Sequence, residues 1–308
     1  MQPILSYIRE FYRNDLKPAY FFLILLLTGF LIYLNYSHFF EPQYKAARNS
    51  NVYGFFAYYF LYLIPFAAAF FLQLLFFKNC TYQKNYWFWI ILFLSPAFFS
   101  FRVNFDFHHT LIQKIWEADA LIFWLHSFSW LFQTFALLIP VYIIWLIKDK
   151  NNQPLYGMKP LKQVKPYLIM LLIMLPLIII ACTQKDFLTT YPKVQFLESL
   201  DISSKKWHYI IYELCYGFDF LSIELFFRGF LILSLFKICG PQCIIPVACF
   251  YCTIHFGKPA GEAISSFWGA LLLGIISYNT LSIWGGLIIH LGIAWLMELI
   301  SWISNHLY

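Results

Sequence analysis

Charge is scarce in this chain. Only 12% of its 308 residues are Asp, Glu, Lys or Arg, while 61% are hydrophobic. A soluble domain is about a quarter charged and about half apolar, so this composition excludes an ordinary water-soluble globule. The formal net charge of +6 is spread through the loops and gathers into no patch. It reads as membrane-anchoring charge and excludes a nucleic-acid footprint. Cysteines number seven, an odd count without secreted-domain spacing, which argues against a disulfide framework. Cys249-x-x-Cys252 has the spacing of a redox or zinc pair, but it lies in the apolar run that follows Pro246, where small buried side chains are the simpler reading. The chain has no Gly-Lys-Ser/Thr phosphate loop, no Gly-x-Ser-x-Gly nucleophile elbow, no internal repeat and no long flexible linker. The first 18 residues hold Arg9, Glu10, Arg13, Asp15 and Lys17, and no small-residue cleavage pattern follows them. They therefore read as an amphipathic lead-in to a first span, not as a signal peptide.

What the chain has in abundance is long uncharged runs. With a mean hydropathy of +0.66, it has room for about eight or nine spans of roughly 20 residues. The expected fold is all-α, a polytopic bundle of membrane helices. Uncharged runs place spans at 19–36, 52–77, 86–101, 120–147, 166–183, 207–236, 241–256, 260–280 and 282–303. Pro96 falls in the third, and Pro140 predicts a kink in the fourth. Residues 19–183 read as scaffold, 184–206 as a polar loop and 207–308 as the chemically equipped region. The most basic loop, 148–165, is expected on the cytoplasmic side with the amino terminus. The protein is expected to be integral to a membrane, the inner one if the cell is bacterial.

The polar residues concentrate late. The sixth run carries Glu213, Asp219, Glu224 and Arg228, the seventh ends at His255, and the ninth holds His290. Ionisable groups at membrane depth are costly and tend to face a protein interior or a wet cavity, where they mark function. On a helix Glu224 and Arg228 share a face as i and i+4, and Glu213 lies three turns earlier on the same face. Asp219 shares the face of Ile223. An intramembrane salt bridge that only fixes packing accounts for Glu224 and Arg228 alone. The addition of two histidines favours a reaction site. Hydrolysis of a peptide bond needs a base for water and donors for the oxyanion, and a desolvated carboxylate, an imidazole and an orienting guanidinium supply those parts.

Glu-Leu-Phe-Phe-Arg-Gly-Phe (224–230), then His255, then His290, resembles the CPBP family of intramembrane proteases. That family includes the type II CAAX prenyl endopeptidases and the bacterial Abi or bacteriocin-self-immunity proteins. Its motifs are Glu-Glu-x-x-x-Arg, Phe-x-x-x-His and His-x-x-x-Asn/Asp, and the resemblance covers about residues 207–300. It implies a helical bundle with a conical cavity. Glu224 and Arg228 match the second Glu and the Arg of the first motif, and His255 and His290 match the histidines of the other two. In the family a Glu and a His activate water, and the last His with its Asn stabilises the oxyanion. Zinc held by Glu224, His255 and His290 with an open position and a metal-free glutamate mechanism are both compatible with the motifs.

Three positions depart from the family pattern. Ile223 stands where the first Glu is expected, Ala294 where the Asn or Asp is, and Tyr251 where the Phe is, with Phe250 adjacent. Two acids are candidates to compensate for Ile223. Asp219 is one; the other is Glu262, which a Gly/Pro turn after His255 can fold back toward that histidine, unless it is only a dipole-favoured first-turn residue. Glu298, two turns past His290, either replaces the missing Asn or sits at the interface. Asp106, His108, His109, Glu117 and Asp119 form a solvated loop before they form a metal site. Gly269, Gly274, Gly285 and Gly286 read as points of close helix approach. The leading expectation is an endopeptidase acting on a hydrophobic, membrane-associated or prenylated peptide at the bilayer. The alternatives are a catalytically inactive relative that binds or scaffolds, and a proton-coupled transporter.

Overall fold

The computed structural model describes residues 2–78 and 80–307. Among these residues it is helical, without strands. The elements are α1 (Gln2–Glu10), α2 (Pro18–Tyr36), α3 (Glu41–Asn49), α4 (Asn51–Phe76), α5 (Tyr86–Asn104), α6 (Phe107–Ile112) and α7 (Ala118–Ile144). There follow α8 (Lys165–Ala181), α9 (Lys185–Leu188), α10 (Lys205–Glu224), α11 (Ser234–Cys239), α12 (Ile244–Thr253), α13 (Ala260–Thr280) and α14 (Trp284–Leu307). A π-helical stretch, Leu225–Leu233, joins α10 to α11.

Among the described residues seven helical stretches are long and apolar enough to cross a bilayer: Pro18–Tyr36, Asn51–Phe76, Tyr86–Ile112, Ala118–Asp149, Lys205–Thr253, Ala260–Thr280 and Trp284–His306. The protein is an integral, multi-pass membrane protein. The count differs from the nine runs in the sequence in two places. The run at 166–183 becomes α8, an apolar helix of 17 residues. The run at 241–256 becomes α12, only ten residues long, or about 15 Å against a hydrocarbon core of about 30 Å. Every residue of α12 is buried. Apolarity along this run reflects enclosure by protein, not contact with lipid.

The buried centre is aromatic. Phe250 of α12 meets Phe66 and Tyr62 of α4 at ring-centroid distances of 5.4 and 5.5 Å, and Phe227 of the π stretch at 5.2 Å. Tyr251 meets Phe227 edge-on at 4.8 Å. Each such pair contributes about 0.5–1.5 kcal/mol beyond its buried area. Where lipid removes the hydrophobic incentive between helices, such close packing holds them together. It also fixes the register between α12 and the π stretch, the two elements that carry Tyr251 and Arg228.

Two segments expected to be solvated loops are packed. In 184–206, Phe187, Tyr191, Val194, Leu197 and Leu200 recur every three or four residues and point inward. This segment is a strap across α10 and α14. In 148–165, Tyr156 is fully buried, and its hydroxyl donates to buried Asp149 at 3.0 Å. The Tyr156 carbonyl oxygen lies where a Cβ at Gly229 would fall, 2.5 Å from it. Gly229→Ala is therefore expected to destabilise the protein by about 1–3 kcal/mol through overpacking. Thermal unfolding in detergent measures this, and an unchanged midpoint would remove the steric argument.

Among the small residues expected at close approaches, Gly274 faces Ile244 and Gly285 faces Tyr167, while Gly269 faces open space. All seven cysteines are free. Cys249 contacts Thr28 at 3.8 Å and Cys252 donates to the Ala263 carbonyl at 3.3 Å.

Candidate active site

The helix changes pitch immediately after Glu224. The π stretch begins at Leu225 and contains Arg228, and widened turns of this kind recur at functional sites. Glu224 is fully buried and Arg228 is 1% exposed. Arg228 Nε stands 3.6 Å from Glu224 Oε2, an ion contact slightly too long for a hydrogen bond. Below the guanidinium lies the Tyr251 ring, 4.2 Å from Arg228 Cζ to the ring centroid, a stacking that in a desolvated site is worth about 2 kcal/mol. Among the described residues Glu224 Oε2 and Arg228 Nε and Nη1 are buried without hydrogen-bond partners. The other carboxylate oxygen, Glu224 Oε1, lies 2.9 Å from His290 Nδ1. The backbone permits this approach because position 286 on α14 is glycine. A Cβ there would fall on the Glu224 carboxylate.

His290 Nε2 lies 3.1 Å from the Tyr251 hydroxyl. As a carboxylate Glu224 only accepts, so Nδ1 carries the proton, Nε2 is the acceptor, and Tyr251 donates. His255 sits at the end of α12. Its Nδ1 lies 3.0 Å from the Tyr251 carbonyl oxygen and therefore donates to it. Its Nε2, then an acceptor, faces Glu262 Oε1 at 3.9 Å, so the two pair through a donor between them, such as a water, or once the ring is protonated. The turn at Gly257 brings α13 back beside α12, so the Gly/Pro turn read from the sequence does set Glu262 against His255. Glu262 also accepts from Lys258 Nζ at 2.6 Å and from the Tyr191 hydroxyl at 3.0 Å. Beside this turn lies a cavity of about 150 Å³ lined by Tyr44, Arg48, Tyr58, Thr253, Phe256 and Gly257 among others.

The site is thus two carboxylate–imidazole pairs, Glu224–His290 and Glu262–His255, joined by Tyr251. The other expected participants lie elsewhere. Asp219 is 4% exposed and held in a fork by Arg102, with Nη1–Oδ1 at 2.7 Å and Nη2–Oδ2 at 2.5 Å. Thr134 and Ser222 each donate to Oδ1 at 3.2 Å. With both oxygens engaged there, Asp219 makes no hydrogen bond to either histidine among the described residues. Glu298 does not take the place of the Asn: it is 6% exposed and accepts the backbone N–H groups of Lys193 and Val194 at 2.9 and 3.4 Å, which anchors the strap. His108 and His109 turn to Ser129, at 2.9 and 3.4 Å, and Asp119 accepts from the Asp201 amide at 2.6 Å. Ile223 and Ala294 are buried apolar residues, 7% and 3% exposed.

The donors do not suit zinc. Glu224, His255 and His290 do not converge, since His290 is engaged on both nitrogens and His255 turns to Glu262. No group of three or more His, Cys, Asp or Glu able to hold a metal occurs among the described residues.

The fold and these pairs define a class: a polytopic membrane protein whose ionisable residues are enclosed by its carboxyl-terminal helices. Residues 207–296 match the family model described as type II CAAX prenyl endopeptidase Rce1-like. Glu224, Arg228, His255 and His290, which carry the resemblance, all lie within that stretch, and over it the chain is similar to that family. No similar curated protein and no similar solved structure was found.

Proposed function

We propose that the protein is an intramembrane endopeptidase that hydrolyses a peptide bond in a hydrophobic or lipidated substrate. The observation that carries this reading is the buried contact of 2.9 Å between Glu224 Oε1 and His290 Nδ1. A carboxylate on Nδ1 orients the ring, fixes its tautomer and stabilises the imidazolium that forms when Nε2, released by the Tyr251 hydroxyl, takes a proton from water, as in hydrolase triads. With Ile223 in place of the first motif Glu, the base in this reading is His290 backed by Glu224. Arg228 holds the carboxylate in place. His255, whose Nε2 faces Glu262, is the second acid–base group: Nε2 takes a proton from water on the Glu262 side and passes it to the leaving amine.

Purified full-length protein is expected to cleave members of a fluorogenic membrane-peptide library, and a chelator is expected to leave the rate unchanged. Absence of turnover from well-folded protein would refute the reading. Loss of turnover with chelator would refute its metal-free form.

A second reading, peptide binding without turnover, draws on Ile223 and Ala294. It predicts saturable binding of the same peptides with no product, and Ile223→Glu is then the change that would restore a carboxylate to the first motif.

A further inference from the structure

Tyr251 is not one of the four matched motif residues, yet it touches three of them, Arg228, His255 and His290. Its ring carries the Arg228 guanidinium at 4.2 Å. Its hydroxyl meets His290 Nε2 at 3.1 Å, and its backbone carbonyl meets His255 Nδ1 at 3.0 Å. It is 4% exposed, while the His290 side chain is 18% exposed. On the other flank of His290, Ala294 is packed among Phe123, Tyr212 and Tyr216 and offers no polar atom. Phe220 meets the His290 ring edge-on at 4.6 Å and offers none either. Among the described residues Tyr251 is the one protein hydrogen-bond partner of His290 Nε2.

The geometry assigns Tyr251 as the positioning residue of His290: its hydroxyl donates to Nε2 and holds the imidazole in the Nδ1–H tautomer that faces Glu224. The argument is one of satisfaction. An imidazole whose Nδ1–H is given to a carboxylate has one remaining polar atom, the Nε2 lone pair. Left without its donor in this half-buried place, that atom favours any tautomer or ring rotation that pairs it. A phenylalanine at 251 would keep the ring under Arg228 and the backbone bond to His255 but would leave Nε2 without its donor. The tyrosine therefore does for His290 what no residue on α14 itself does. The inference deepens the proposed site and rests on it for its kinetic arm only.

The test is Tyr251→Phe in the full chain in detergent, read first by ¹⁵N NMR of labelled histidine, with His290→Gln identifying the signals. Wild type is expected to show His290 as a single Nδ1-protonated species. Tyr251→Phe is expected to show it mixed, with the His255 signals unmoved because their partner is backbone. Identical His290 signals in wild type and Tyr251→Phe would overturn the assignment. So would equal disturbance of both histidines, which marks loose packing instead. In the kinetic arm kcat is expected to fall about tenfold, the equivalent of one neutral hydrogen bond, with KM unchanged. A change in KM alone would also overturn the assignment. Absence of turnover from wild type counts against the proposed reaction, while the spectra still decide the role of Tyr251.

Discussion

Glu224→Gln is expected to lower turnover by up to about 10⁴-fold while the protein remains folded. Glutamine nearly matches glutamate in shape, so Gly286 still accommodates it and the aromatic packing around the π stretch is undisturbed. The change lies in what His290 meets. A carboxylate accepts from Nδ1 and stabilises a protonated ring; an amide can present N–H instead and favours the wrong tautomer. The same replacement in hydrolase triads costs about 10⁴ in kcat. Glu224→Ala is predicted to do this and more. Arg228, 1% exposed, would lose its counter-charge, and an uncompensated buried charge costs about 3–5 kcal/mol. Comparing the variants by turnover and by thermal unfolding separates chemistry from charge balance. Near wild-type turnover in Glu224→Gln would sink the triad-like reading.

The second large effect lies away from the site. Arg102 on α5 clips Asp219 on α10, and it also donates to the Gln133 carbonyl at 3.2 Å on α7. Both charged side chains are nearly inaccessible, at 5% and 6%. Arg102→Met is expected to destabilise by about 3–5 kcal/mol because Asp219 is left charged and alone. The double variant Arg102→Met with Asp219→Leu is expected to recover most of that loss, since replacing a whole buried pair by apolar residues is often neutral or stabilising. Thermal unfolding in detergent tests both. A single variant as stable as wild type, or a double variant as damaged as the single, would contradict the account.

That clip also shows where sequence reasoning stopped. Glu224, Arg228, His255 and His290 stand out because each interrupts an apolar run where a charge has no local excuse. Asp219 stands out equally, but its partner is 117 positions away. Arg102 sits just past the end of an uncharged run, where an arginine ordinarily reads as an interface anchor. In the structure the helix continues to Asn104 and takes Arg102 inside. The absence of any other cation near Asp219 in sequence was the available signal. Tyr251 was visible only as a departure from the family pattern. Its use becomes apparent once His290 of α14 is seen to reach Tyr251 of α12, a meeting that periodicity does not encode. The short α12 could not be told from a span because burial in protein and exposure to lipid select the same apolar residues. The strap reads as a polar loop by composition, although its apolar residues recur at helical spacing.

The strap has a bearing on access. Tyr191 closes over Glu262 from one side, and the strap behind Tyr191 is fastened to Glu298. The cavity beside the turn at Gly257, at about 150 Å³, is the size of a few water molecules at roughly 30 Å³ each. It is smaller than the roughly 300 Å³ at which ligand pockets begin. In this conformation that cavity has room for water and none for a polypeptide.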